Sequence, residues 1–118
     1  AVLGQPLTVW RTALYQKRPY LDLSDAVSAI AHIIRKDLFD NNTYNVLTEN
    51  LTVKDITDSI RRYVPDLNIE FVDTPIMNQL SYEVLNAKFK KTEFDFNGNI
   101  DEGIRNTIRL LGRLNVTK

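Results

Sequence analysis

The chain has 118 residues, 15 Lys and Arg against 15 Asp and Glu, a formal charge of zero, and 43% hydrophobic residues. That is one domain's worth of chain, too rich in Ile, Val and Leu for wholesale disorder and without the basic excess of a nucleic-acid binder. No cysteine is present, which excludes a disulfide framework and thiolate metal sites. No apolar run approaches the ~20 residues that span a bilayer, and no basic-then-apolar signal segment opens the chain. The expectation is a cytoplasmic domain with neither nucleic acid nor membrane as partner. Ala1 stands where a methionine is usual, so a processed product, an excised domain or a fragment is expected, with simple Met removal before a small residue as the alternative.

In chain order, Pro6 to Trp10 reads as a short strand, because a proline at a strand's first residue loses no ladder donor. A polar stretch follows, and Pro19 to Leu23 alternates with a period of two, predicting a second strand. Ser24 can cap a helix with Asp25 in its first turn. Val27, Ile30, Ala31, Ile34 and Leu38 then recur at helical spacing over about four turns. Asp40-Asn41-Asn42 is a turn cluster, and Thr43 to Thr48 is expected as a strand.

Thr52-Val53-Lys54-Asp55 resembles a capping box with Asp in place of Glu. It opens a helix with Val53, Ile56, Ile60, Tyr63 and Val64 on one face, stopped by Pro65. Ile69 to Val72 is another strand. Leu80 to Lys91 is expected as a helix with Val84, Leu85 and Phe89 inward. After the Asn97-Gly98 turn, Asn99 caps a last helix carrying Ile100, Ile104, Ile108, Leu111 and Leu114, with Asp101 and Glu102 in its first turn. Gly103 weakens that helix by about 1 kcal/mol relative to alanine, so close packing is expected there. The class is α/β, with helices and short strands interspersed over a single unit, residues 1–118.

Chemistry-bearing motifs are few. There is no Gly-x-Gly-x-x-Gly, Walker loop or nucleophile elbow. The one histidine, His32, lies at the edge of an apolar stripe and reads as structural. Asp22 and Asp25 could share general acid–base work, but the simpler reading is one helix cap and one solvated strand-end carboxylate. Lys88, Lys90 and Lys91 read as a solvated helix end, and Arg105, Arg109 and Arg113 as a polar face.

One ordered constellation stands out. Gly4-Gln5-Pro6-Leu7-Thr8-Val9-Trp10 is followed by Gln16-Lys17-Arg18-Pro19-Tyr20-Leu21-Asp22 and Asp25-Ala26, then by Tyr44-Asn45-Val46, Thr52-Val53-Lys54-Asp55-Ile56, Lys88-Phe89 and Ile100-Asp101-Glu102-Gly103-Ile104. This order resembles the C-terminal part of the extended short-chain dehydrogenases, the NAD-dependent sugar-nucleotide epimerases and dehydratases, over essentially the whole chain.

The resemblance implies that a Rossmann domain missing from this sequence carries NAD and a Tyr/Lys catalytic pair. This chain then clamps the nucleoside diphosphate of a sugar nucleotide and binds no NAD by itself. Its Tyr15 is followed four positions on by Pro19, so the Tyr-x-x-x-Lys pair is absent and no catalysis is expected of the chain alone. Thr8, Val9 and Trp10 match the strand against the nucleobase, with core packing as the other reading of Trp10. Arg18 matches the arginine that grips the diphosphate, a role suited to its planar fork of donors, with a surface cation as the other reading.

Departures from the family pattern are Pro19 for the usual Asp, no Gly-Asp-Gly between Trp10 and Gln16, Leu85 for a common Asp, and Glu93 for glycine. No arginine occurs around Pro75 to Leu80, so Asn78 or Gln79 becomes the candidate second phosphate contact. Partners follow: the absent Rossmann domain, or self-association through the Ser24–Leu38 helix or the Thr43–Thr48 strand. A free-standing binding or interaction module is the alternative.

Overall fold

The computed structural model of the chain describes residues 2–73 and 80–114. Pro6 feeds β1 (Leu7–Trp10), which pairs in parallel with β4 (Ile69–Val72), Val9 opposite Phe71. A 3-10 turn, Arg11–Ala13, leads toward β2 (Lys17–Tyr20), which pairs antiparallel with β3 (Glu49–Thr52), Arg18 opposite Leu51. Four helices accompany the strands: α1 (Leu23–Arg35), α2 (Val53–Tyr63), α3 (Ala87–Lys90) and α4 (Ile100–Leu114). This is the α/β class of short strands and four helices that the sequence predicts.

Two strands lie where hydrogen bonding, not alternation, puts them. β2 begins two residues earlier than the expected Pro19–Leu23 and ends at Tyr20. The Asp22 N–H leaves the ladder to donate to Thr48 Oγ1 at 2.8 Å. Pro19 fits this short ladder because an edge position tolerates a missing donor. The predicted strand Thr43–Thr48 forms no ladder among the described residues, and the strand is instead β3, at Glu49–Thr52. Tyr44 and Val46 pack against the core all the same.

The helix expected over Leu80–Lys91 shrinks to α3. Residues 80–86 form no helix and lie beside β2 and β3: the Tyr82 N–H donates to the Lys17 carbonyl at 3.3 Å, and Asn50 exchanges two 3.0 Å bonds with the Val84 backbone. Leu85 is accordingly exposed and only Phe89 of the expected stripe is fully buried.

Local capping explains the other boundaries. Asp22, not Ser24, caps α1, its Oδ1 accepting the Ser24 N–H at 2.8 Å. The Thr52–Asp55 capping box at α2 is complete, and Asn99 Oδ1 accepts the Glu102 N–H at 3.0 Å at the start of α4. Phe89 anchors the core with Ala29 and Phe94, and Ile33, Tyr44, Val46 and Phe96 pack around them. His32 is buried, edge-on to Phe89 and Phe94, with Nε2 3.0 Å from both the Thr92 carbonyl and hydroxyl. It is the structural histidine that the sequence suggests.

The α1 stripe is turned outward. Val27, Ile30 and Ile34 are each about three-fifths exposed, at 61%, 60% and 63%, while Asp25, Ala29 and His32 form the buried side. The molecule is correspondingly expanded. Its radius of gyration is 17.0 Å, against about 13.5 Å for a compact domain of this length.

Asp25 corrects the solvated-carboxylate reading, since it is 2% exposed. Its Oδ1 accepts the N–H groups of Asn97 and Gly98 at 3.0 and 2.9 Å, and its Oδ2 accepts the Thr48 hydroxyl at 2.6 Å. A Cβ at Gly98 would lie 2.5 Å from Asp25 Oδ2, and one at Gly103 would lie 2.5 Å from Asp22 Oδ2, so the close packing expected at Gly103 is present. Gly112, in contrast, faces open space. Gly98→Ala is expected to destabilise by about 1–3 kcal/mol through overpacking. Gly112→Ala should stabilise by up to about 1 kcal/mol through helix propensity. Urea unfolding of the two variants measures the contrast.

Candidate functional site

β1 divides its three candidate residues between two faces. Val9 is buried, whereas Thr8 and Trp10 are exposed on the other side, Trp10 at 39%. Trp10 is therefore not a core residue, and its ring and the Thr8 hydroxyl share a surface with Glu70, which pairs with Thr8. On the same sheet the Arg11 guanidinium lies 5.0 Å from the Phe71 ring centroid, with Nε 3.1 Å from Asp73 Oδ1.

Arg18, in the other sheet, is half-buried. Its Nη1 donates to the Lys17 carbonyl at 2.8 Å and to the Leu80 carbonyl, and its Nη2 donates to Gln16 Oε1 at 3.0 Å. The guanidinium lies over the Tyr82 ring, its Cζ 5.0 Å from the ring centroid. Lys17 beside it donates to Glu83 Oε1 at 2.5 Å, and that carboxylate holds the ammonium pKa above its ordinary value. Asn78 and Gln79 lie outside the described residues.

Sequence reading missed Tyr82 and the asparagines that hold its segment. The available signal was chemical: Asn45, Asn50 and Asn86 donate from side-chain amides to backbone carbonyls across this region. Lys88 is also more than a solvated helix end. Its ammonium donates to Asn42 Oδ1 and the Thr43 carbonyl at 2.9 and 3.0 Å and lies over Tyr44.

Two hollows flank α4. An apolar one of about 450 Å³ is walled by Leu21, Ile56, Ile60, Ile104 and Ile108, with Gly103 at its edge. Leu111 is exposed, and the Leu114 side chain lies outside the described residues. A polar hollow of about 370 Å³ gathers Asp55, Asp58, Arg62 and Asp101. There Asp101 accepts from Ser59, from Arg62 and, at 2.5 Å, from the Tyr63 hydroxyl. These donors hold its carboxyl far below the usual range, the Ser59 hydrogen bond foremost, then those from Tyr63 and Arg62.

Among the described residues no group of His, Cys, Asp and Glu is arranged to hold a metal, and no helix is long and apolar enough to cross a membrane. The chain holds no Gly-x-Gly-x-x-Gly turn of the kind that cradles a pyrophosphate, and two of its four glycines, Gly98 and Gly103, press against the carboxylates of Asp25 and Asp22.

No protein-family model matches the chain. The fold, however, is similar to a portion of two larger solved proteins. It is similar to a partial-consensus L-threonine 3-dehydrogenase, with a TM-score of 0.74 and 18% identity, over 95% of this chain and 38% of that one. It is also similar to the dTDP-glucose 4,6-dehydratase of Bacillus anthracis, solved in complex with NAD, with a TM-score of 0.71 and 18% identity, over 95% of this chain and 36% of that one. The chain thus spans less than two-fifths of the length of either protein.

The Asp101 geometry sets an acid response. A carboxyl whose folded pKa is depressed contributes stability above its unfolded pKa, near 3.9, and loses it as pH falls toward the folded value. Stability should therefore decline from about pH 5 downward, and Asp101→Asn should flatten that decline while lowering stability at pH 7. Thermal melts of both proteins between pH 7 and pH 2 test this.

Proposed function

We propose that the chain is the substrate-binding portion of a NAD-dependent nucleotide-sugar epimerase or dehydratase. In this reading it clamps the nucleoside diphosphate, while a Rossmann domain outside this sequence holds NAD and the Tyr/Lys pair. The observation that carries it is the fold likeness, which takes in 95% of this chain and less than two-fifths of two larger dehydrogenase-type proteins. The ordered motifs from Gly4 to Ile104 support the family, and the exposed Thr8, Trp10 and braced Arg18 offer a stacking face and an anion grip.

The outward stripe of Leu23, Val27, Ile30 and Ile34 supports the missing-domain part of the reading. A contiguous apolar face of this kind is rare on a stand-alone monomer, and the expanded radius agrees with it. Alone in solution, the chain covers the stripe by self-association. The second reading, a non-catalytic interaction module, draws on the Arg18 donors already engaged by Lys17, Leu80 and Gln16.

Calorimetry with UDP, dTDP and their glucose conjugates decides between them. Binding that falls at least tenfold in Arg18→Ala supports the clamp, and no binding by any nucleotide supports the module. In sedimentation velocity the wild type is expected to associate, and the Val27→Glu/Ile34→Glu double variant to run as a monomer. A wild-type monomer at all concentrations would contradict the uncovered-face account.

A further inference from the structure

We propose that Tyr82 is the positioning residue for Arg18, setting the plane of the guanidinium so that its edge is presented to a diphosphate. The inference rests on the clamp reading above and adds to it a residue that neither the motifs nor the composition singles out.

A guanidinium interacts along two independent directions. Its face attracts an aromatic ring, and its in-plane N–H groups bind oxygen acceptors. The Arg18 Cζ lies over the Tyr82 ring, 5.0 Å from its centroid. The Lys17 and Leu80 carbonyls and Gln16 Oε1 take in-plane donors. These acceptors are neutral oxygens, and a phosphate oxygen is the stronger partner for a charged donor. A diphosphate can therefore exchange with an in-plane acceptor without disturbing the ring contact.

The backbone that carries the ring is anchored. The Tyr82 N–H donates to the Lys17 carbonyl, the Ser81 hydroxyl accepts the Lys17 N–H at 3.0 Å, and Asn50 clasps Val84 two residues on. Tyr82 thus holds a long side chain in one plane before ligand arrives, which removes rotamer entropy from the cost of binding.

Calorimetry with UDP, dTDP and inorganic pyrophosphate, on wild type, Tyr82→Phe, Tyr82→Leu and Arg18→Ala, tests this. Tyr82→Phe keeps the π face and should bind as wild type. Tyr82→Leu keeps apolar bulk without the π face and should bind roughly three- to tenfold more weakly, the range of an exposed to partly desolvated cation–π contact. A structural role alone would predict equal binding by the two variants at equal melting temperature. Equal binding by Tyr82→Leu and wild type, with loss in Arg18→Ala, overturns the role of Tyr82 and leaves the clamp standing. Pyrophosphate binding with the Tyr82→Leu defect but no added affinity for nucleotides supports the role of Tyr82 and removes the sugar-nucleotide reading. No binding of any probe by wild type overturns both.

Discussion

The structure depends on the buried carboxylate of Asp25. A charge taken out of water is costly unless its oxygens are fully hydrogen-bonded, and here the donors come from remote parts of the chain, Thr48 on one side and Asn97 and Gly98 on the other. The first turn of α1, the approach to β3 and the entry to α4 therefore meet at one side chain. Glycine at 98 follows from this, since its N–H must come close to the carboxylate and a Cβ has no room. A parallel contact sets Asp22 against Gly103 one helical turn further on. Two carboxylates opposite two glycines seat α4 on the start of α1, and the apolar hollow beside Gly103 is bounded by that seating.

A fold assembled this way uses polar contacts where larger domains use apolar burial. The buried side of α1 carries Asp25, Ala29 and His32, and its most apolar stripe faces out. On α2 the fully buried residues are Thr57 and Ser59, while Ile56 and Ile60 line an open hollow. Asp101 ties α2 to α4 through Ser59, Arg62 and Tyr63. The single large side chain fully removed from solvent is Phe89, among the described residues. Such a ledger of contacts suits a unit whose apolar faces are completed by more chain, which is the reading proposed for α1.

The starts of α2 and α4 were legible in the sequence because capping is local. The Thr52–Asp55 box and the Asn99 cap depend on three-residue spacings and appear as read, and the strands at Leu7 and Ile69 follow from short apolar runs between breakers. The failures are all non-local. Asp22 displaced Ser24 as cap because Thr48, far along the chain, took the Asp22 N–H. The apolar period of Val27, Ile30 and Ile34 identified a helix but not which side of it is covered, since periodicity carries no information about what lies opposite. Of the candidate site residues, the motifs single out Thr8, Val9, Trp10 and Arg18, of which Val9 is buried on the opposite face of β1 from Thr8 and Trp10, whereas Tyr82 was hidden inside a segment that reads as helix.

That segment shows why propensity lost. Residues 80–86 have the apolar spacing of a helix, yet the Asn50 side chain matches the Val84 backbone with one donor and one acceptor, as a neighbouring strand would. Asn86 adds a bond to the Leu47 carbonyl and Asn45 one to the Leu85 carbonyl. Each amide replaces one internal helix bond with one of similar strength, and the non-helical form gains in addition the Lys17 contacts and the ring of Tyr82 over Arg18. A two-stranded sheet is marginal by itself, so β2 and β3 depend on this third, side-chain-stapled segment as much as it depends on them. The candidate anion grip therefore sits at the seam between a short ladder and a row of amide staples. Asparagine amides hold the backbone that brings the Tyr82 ring over Arg18.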